Sequence, residues 1–230
     1  VDWVVALPAG LTPRQAMTFG TAGFTAAQAV MALERVGVTP VKGEVLVTGA
    51  TGGVGVFAVA ILAKLGYQVV AMTGKPDRAA ALRQLGAVRT VGRDLFAEAG
   101  DRPMLSEAWA GGVDTVGGDT LSALLRSTSH RGCVAACGLV GGHHLPITVY
   151  PFLLRGVTLA GIDSAKCPRE PRLEVWRRLA GPWRVDLPEE LVTEVTLDEL
   201  PNRVDEMLAG RTFGRTLVKP TTTVAAPAAE

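Results

Sequence analysis

What the chain lacks sets the first bounds on what it does. It has no stretch of about eighteen uncharged apolar residues, the length a helix needs to cross a bilayer, so no membrane partner is expected. The opening residues, Val1-Asp2-Trp3-Val4-Val5, carry neither the basic nor the apolar region of a secretory leader. Cysteines are few, Cys133, Cys137 and Cys167, an odd set without metal-ligand spacing, which argues against both a disulfide framework and a zinc site. A reducing, cytoplasmic setting is expected. Neither sign of charge is in excess: 23 Lys and Arg stand against 22 Asp and Glu, scattered along the chain, and no nucleic-acid-binding face is expected from a net charge of +1. Aromatic residues make up only 5%, yet apolar residues as a whole reach 48% of 230, ample for a core. Internal repeats are absent, and low complexity is confined to the end.

From Lys42 to Ile162, short β-branched runs alternate with longer stretches of helical period, the pattern of successive βαβ units and so of a parallel sheet. Strands are expected at Val45–Thr48, Gln68–Met72, Arg89–Val91, Val113–Val116, Cys133–Ala136 and Val157–Ile162. Helices are expected near Gly53–Leu65, Asp77–Leu85, Leu105–Trp109 and Leu121–Ser129. Several strands are apolar on both faces, which suits strands covered by helices on either side, and a doubly wound order follows. Two flanking segments do not fit that core. Residues 1–40 read as a strand-like run, Trp3 to Leu7, and two helices; residues 170–220 read as helix, strand, helix and strand. Thr221 to Glu230, small residues and proline without an apolar face, reads as a disordered tail. The abrupt apolar start without Met suggests a fragment.

The sharpest motif is Thr48-Gly49-Ala50-Thr51-Gly52-Gly53-Val54-Gly55, set between the Val45–Val47 strand and an apolar helix. Gly49 and Gly52 allow positive φ and bring backbone close to a pyrophosphate, Gly55 lets the helix pack on the strand, and the helix start offers free N–H groups to an anion. This is a Rossmann dinucleotide loop with Ala50 at the first glycine position. A ligand-free tight turn is the competing reading, and the register of strand, loop and helix weighs against it.

At the end of the second strand an NAD site would place a carboxylate for the ribose hydroxyls. Here stand Thr73, Gly74 and Lys75, a hydroxyl and a cation, which favours the 2′-phosphate of NADPH. The alternative is a solvated Lys75 in a turn that Gly74 and Pro76 explain alone. Arg78 and Arg93 are further candidates nearby. The same loop also fits the short-chain dehydrogenases, whose catalysis needs a Lys four residues after a Tyr. After Tyr67 that position is Ala71 and after Tyr150 it is Leu154, which excludes them.

Taken with Gly20-Thr21-Ala22-Gly23-Phe24-Thr25-Ala26, Val113-Asp114-Thr115-Val116-Gly117, Gly132 to Leu139 and the closing Gly214-Arg215-Thr216-Leu217-Val218-Lys219, the loop gives a combination that resembles the medium-chain reductase superfamily. The likeness is to its acryloyl-CoA reductase branch, close to the quinone oxidoreductases. In that superfamily a Rossmann domain is inserted late in a GroES-like catalytic domain. The resemblance therefore implies an α/β fold, a Rossmann doubly wound parallel sheet with remnants of a GroES-like catalytic domain. Residues 1–40 would be the end of that domain with linking helices, 41–165 the NADPH-binding unit and 166–220 the return to the catalytic domain.

The resemblance also implies that Thr51, Gly52, Gly53 and Val54 hold the pyrophosphate, that Thr73, Gly74 and Lys75 hold the 2′-phosphate, and that Arg93 assists. Lys75 stands where relatives often have Arg and lacks the bidentate fork. Leu139, Leu153 and Ser164 fall where relatives line the nicotinamide end; Gly210 falls where a polar side chain is often seen. The residues that close over substrate would precede Val1, so no catalytic residue is assigned. The implied reaction is NADPH-dependent, metal-free reduction of a carbon–carbon double bond conjugated to a carbonyl, with acryloyl-CoA the leading substrate, a quinone the alternative, and a homodimer the expected assembly. A non-catalytic NADPH-binding module is the reading of a different class. His143-His144 lacks a third ligand, the C-x-x-x-C spacing of Cys133 and Cys137 suits buried small side chains, and Asp114 and Asp163 read as capping or turn residues.

Overall fold

The computed structural model describes residues 4–220. The tail expected over Thr221–Glu230, and Trp3 at the start of the apolar run, lie outside them. In α1 (Pro13–Arg35), Thr12 and Gln15 form a reciprocal capping box and Pro13 occupies the first turn, where its missing N–H costs nothing. Gly20, at φ 47°, breaks the helical path, so the two helices expected in this region run on from one another. By length and composition α1 is the one helix among the described residues able to cross a bilayer, and 56% of that stretch is buried within the fold.

The chain then alternates. It builds β1 (Glu44–Val47), α2 (Gly53–Lys64), β2 (Gln68–Met72), α3 (Ala79–Gln84), β3 (Arg89–Val91), β4 (Trp109–Asp114), α4 (Gly118–Ser127), β5 (Thr128–Ala136), α5 (Tyr150–Arg155) and β6 (Thr158–Gly161). These strands form one parallel sheet in the order β3-β2-β1-β4-β5-β6, the doubly wound order expected. The pleat sends Val45 and Val47 to the face covered by α1 and α2, and Leu46 to the face where Val70, Leu124 and Leu125 lie. Helix α2 is apolar all round because it is enclosed all round: every residue from Gly55 to Leu62 is buried, with the Phe57 ring 5.0 Å from that of Phe19. Burying each of Phe57, Ile61 and Leu62 contributes roughly 1.5–3 kcal/mol.

Beyond the sheet come α6 (Arg169–Ala180), β7 (Val192–Thr196), α7 (Leu200–Leu208) and β8 (Arg215–Lys219), the helix, strand, helix and strand expected. β7 and β8 pair in parallel, and Arg203 of α7 ties them, its Nε donating to Thr216 Oγ1 (2.9 Å) and its Nη2 to Thr193 Oγ1 (3.1 Å).

Four local expectations are corrected. No helix forms at Leu105–Trp109: Leu105 N and Ala108 N donate to the carbonyls of Arg126 and Ser127, and Trp109 already opens β4. β4 starts at Trp109, earlier than the expected Val113, because Gly111 and Gly112 are strand residues. A Cβ at Gly111 would lie 2.6 Å from the Cys133 carbonyl, and one at Gly112 2.7 Å from Leu124, so close packing demands them. α5, a six-residue helix with Pro151 in its first turn, was not expected. Val4–Leu7 joins neither sheet; the Val4 carbonyl accepts from Arg169 instead of from a neighbouring strand.

Candidate functional site

The helices that follow β1 and β4 leave toward opposite faces of the sheet, which opens a crevice at the carboxyl ends of these two central strands. Its walls are locked together. Thr48 Oγ1 donates to Asp114 Oδ1 at 2.7 Å and accepts from Thr115 N at 3.0 Å, while Thr115 Oγ1 returns a bond to the Thr48 carbonyl at 2.9 Å. The second Asp114 oxygen accepts from Gly117 N at 2.8 Å. Burial pushes the Asp114 carboxyl above the usual carboxylate range, against the bonds from Thr48, Gly117 and Val116. Its two oxygens tie the ends of β1 and β4 and the turn after β4, the capping role expected of it. Asp163 likewise caps a turn through Lys166 N.

The phosphate loop leaves β1 between these ties. Gly49 takes φ 58°, and a Cβ there would lie 2.2 Å from Thr115 Oγ1. A Cβ at Gly55 would lie 2.4 Å from the Gly49 carbonyl, so α2 packs directly on the loop. Gly52 differs from expectation, adopting φ −79° as the N-cap of α2, a conformation open to any residue. Gly53 and Val54 form the first turn, where N–H groups lack helical acceptors.

At the end of β2, Thr51 Oγ1 and Thr73 Oγ1 stand 3.3 Å apart, and Thr73 Oγ1 also accepts from Lys75 N at 3.1 Å. The Arg93 guanidinium lies flat against Gly74, so close that a Cβ at position 74 would come 2.2 Å from its Nε. The Lys75 ammonium donates to the Thr212 carbonyl; burial, then Arg78, draws its pKa down. Asp77, the nearest acid along the chain, is paired with Arg78 at 2.9 Å. Thr51, Thr73, Gly74 and Arg93 share a cavity of about 450 Å³ with Thr120 and Val140.

A second cavity, of about 1020 Å³, takes in Val54, Ser164, Cys137, Met17, Trp176 and Arg215. Thus the fold brings together Thr51, Gly52, Gly53, Val54, Thr73, Gly74, Lys75 and Arg93, and sets Ser164 across the larger cavity. Leu139 and Leu153 line neither cavity and are 66% and 75% exposed. Gly210 is a turn residue at φ 69° with open space about it. His143 and His144 stack on each other at the surface, and among the described residues no three His, Cys, Asp or Glu side chains are grouped to hold a metal ion. Cys133 is buried and Cys137 half-buried, each pushed up to about 11 by burial.

Sequence reasoning passed over Arg215. From β8 its Nε donates to the Thr18 carbonyl at 2.8 Å, and its guanidinium rests on Gly53, where a Cβ would come 2.9 Å from Nη1. Burial depresses its pKa, and among the described residues no carboxylate pairs with it, so it faces the first turn of α2 as an unpaired cation. Its position beyond a glycine in the closing strand was the available signal, but only the fold shows that β8 returns to the phosphate loop.

Residues 53–180 match the family model described as zinc-binding dehydrogenase. The probable acrylyl-CoA reductase AcuI of Escherichia coli (strain K12) is 51% identical over 222 residues, 95% of this chain and 67% of the relative. The crystal structure of the yhdH oxidoreductase from Salmonella enterica in complex with NADP superposes with a TM-score of 0.89 at 52% identity, covering 95% of this chain and 67% of that one. YhfP of Bacillus subtilis (strain 168), named a putative quinone oxidoreductase, is 47% identical over 95% of this chain and 66% of its own length. Its crystal structure with NAD bound gives a TM-score of 0.91. The chain spans about two thirds of the length of these relatives.

Proposed function

The chain belongs to the zinc-binding dehydrogenase family, in the medium-chain dehydrogenase/reductase branch of the acryloyl-CoA reductases and quinone oxidoreductases, and from that premise we propose that it binds NADPH and serves the reduction of an activated carbon–carbon double bond. The observation that carries the coenzyme reading is the end of β2. Thr73 and Lys75 stand where a carboxylate would select NAD, Arg93 flanks them, and the nearest acid is paired with Arg78. The loop fits as well, since its close approach to Thr115 and to the start of α2 leaves no room for a Cβ at Gly49 or Gly55.

In this reading the N–H groups of Gly53 and Val54, with Arg215, hold the diphosphate, while Thr73, Lys75 and Arg93 hold the 2′-phosphate. Bound NADPH supplies a hydride to the electron-poor carbon of the substrate. Val54, Cys137 and Ser164 line the cavity at the nicotinamide end. There the Cys137 thiol, with its pKa near 11, stays protonated and so is a poor nucleophile beside an electrophilic double bond. The substrate is an enoyl thioester such as acryloyl-CoA, a reading supported by the likeness to AcuI. YhfP supports a quinone as the second candidate. We read the segments around α1, and those from α6 to β8, as pieces of a catalytic domain. A second copy is expected to pair across the free edge of β6, in the cytoplasm, where the three free thiols persist.

Titrating the chain with NADPH and NADH in parallel, by nicotinamide fluorescence, tests the coenzyme assignment. NADPH is expected to bind tighter by about tenfold or more, as charge-assisted bonds to a phosphate allow; equal affinities sink it. Acryloyl-CoA and a quinone, offered in turn to protein carrying whatever coding sequence adjoins this chain, separate the two substrates.

A further inference from the structure

Four consecutive residues, three in the turn after α7 and the fourth opening β8, each hold a different neighbour of the phosphate loop or of the end of β2. The Thr212 carbonyl accepts from the Lys75 ammonium. The Phe213 ring lies under the Arg78 guanidinium, 5.4 Å from its centroid. Gly214 N donates to the Thr51 carbonyl at 3.3 Å, and Arg215 holds the Thr18 carbonyl. The turn itself has little freedom: Gly214 sits at φ 74°, and a Cβ there would lie 2.2 Å from the Leu191 carbonyl.

A lysine is a long, mobile cation, and it loses rotamer freedom when it clasps a phosphate. Here that freedom is already reduced, because one of the three ammonium donors is committed to Thr212 and two remain for an anion. Arg78 is steadied in the same way, by the Phe213 face on one side and Asp77 on the other. We propose that the strap Thr212–Gly214 sets the coenzyme preference, with Phe213 as a positioning residue that acts through Arg78 on the 2′-phosphate. The inference rests on the NADPH reading above and extends it to residues more than one hundred positions from Lys75 along the chain. NADH, lacking the 2′-phosphate, gains nothing from the strap.

The test is the ratio of NADPH to NADH affinity, read by fluorescence titration without turnover, for the full chain and its variants. Phe213→Leu keeps apolar bulk but removes the ring face, and is expected to lower the ratio about threefold. Phe213→Tyr, which keeps the face, restores it. Arg78→Met, at an exposed side chain, lowers the ratio by a similar factor without disturbing the core, and adding Phe213→Leu to it changes nothing further. Lys75→Met serves as the control on the underlying reading. If Lys75→Met collapses the ratio while Phe213→Leu and Arg78→Met leave it at the parent value, or weaken both coenzymes alike, the strap inference falls alone. Should Lys75→Met leave the ratio intact, the NADPH reading falls and the strap with it.

Discussion

Thr48 and Asp114, at the ends of the two central strands, share a 2.7 Å hydrogen bond that closes the floor of the nucleotide crevice. Both are fully buried, and Thr48 also accepts from Thr115 N, so one hydroxyl joins the phosphate loop to the neighbouring strand end. Replacing Thr48 with Val keeps the volume and removes both bonds. The expected loss, read by urea unfolding, is about 1.5–3 kcal/mol, in the range for stripping a partner from a buried charged group. An unchanged midpoint would remove the tie from the account.

The same pair gives a pH dependence whose sign is fixed. Because burial holds the Asp114 carboxyl above its ordinary range, the native chain keeps this proton to higher pH than the unfolded chain does. Its contribution to stability is therefore full in acid and declines as pH rises through the native pKa. Unfolding of the parent and of Asp114→Asn, compared from pH 4 to pH 7, should give a difference that moves against the parent as pH climbs. A difference moving the other way refutes the burial argument.

Gly55→Ala asks whether α2 truly rests on the phosphate loop. The new methyl group meets the Gly49 carbonyl and the Ala50 backbone, neither of which is a yielding side-chain tip. Overpacking of about 1–3 kcal/mol is expected, with weakened binding of both coenzymes. Thermal melts and titrations check the two together.

Arg215→Met should produce a pattern unlike that of any change at Lys75. Since the guanidinium faces the turn assigned to the diphosphate, a group common to both coenzymes, each affinity is expected to fall about tenfold with their ratio preserved. Loss of one coenzyme alone would reassign Arg215.

Thiol chemistry offers an independent check. With Cys133 and Cys137 raised from the usual 9.0 to about 11, alkylation of both by iodoacetamide should be slow at pH 8 in the native chain and rapid in urea. The unfolded thiols lose their protons first, so the stability they contribute is intact below pH 9 and drains away as pH rises toward 11. Equal labelling with and without urea at pH 8 would contradict their burial.

What the sequence made legible was whatever local chemistry dictates. β2 and β3 were read to the residue because β-branched runs end at Gly66, Thr73 and Gly92, and the phosphate loop because its glycines must sit between a strand and a helix. Trp109 to Gly112 misled: a helix was expected to end at Trp109 and a strand to begin at Val113, whereas β4 already runs through the two glycines that the approach of Cys133 and Leu124 demands. Lys75 was singled out by its place just after the second strand and Arg93 by the family resemblance, whereas Arg215 and Phe213 were not singled out. They reach the cleft only because β8 pairs with β7 and ends its approach against α1, a relation between segments that no local pattern carries.

The enclosure of α2 on all sides has a kinetic side. Because α2 is buried over Gly55 to Leu62, its first-turn amides are expected to need no rearrangement to meet the proposed diphosphate. Coenzyme capture should then follow simple second-order kinetics, with no unimolecular rearrangement limiting the observed rate as ligand concentration is raised.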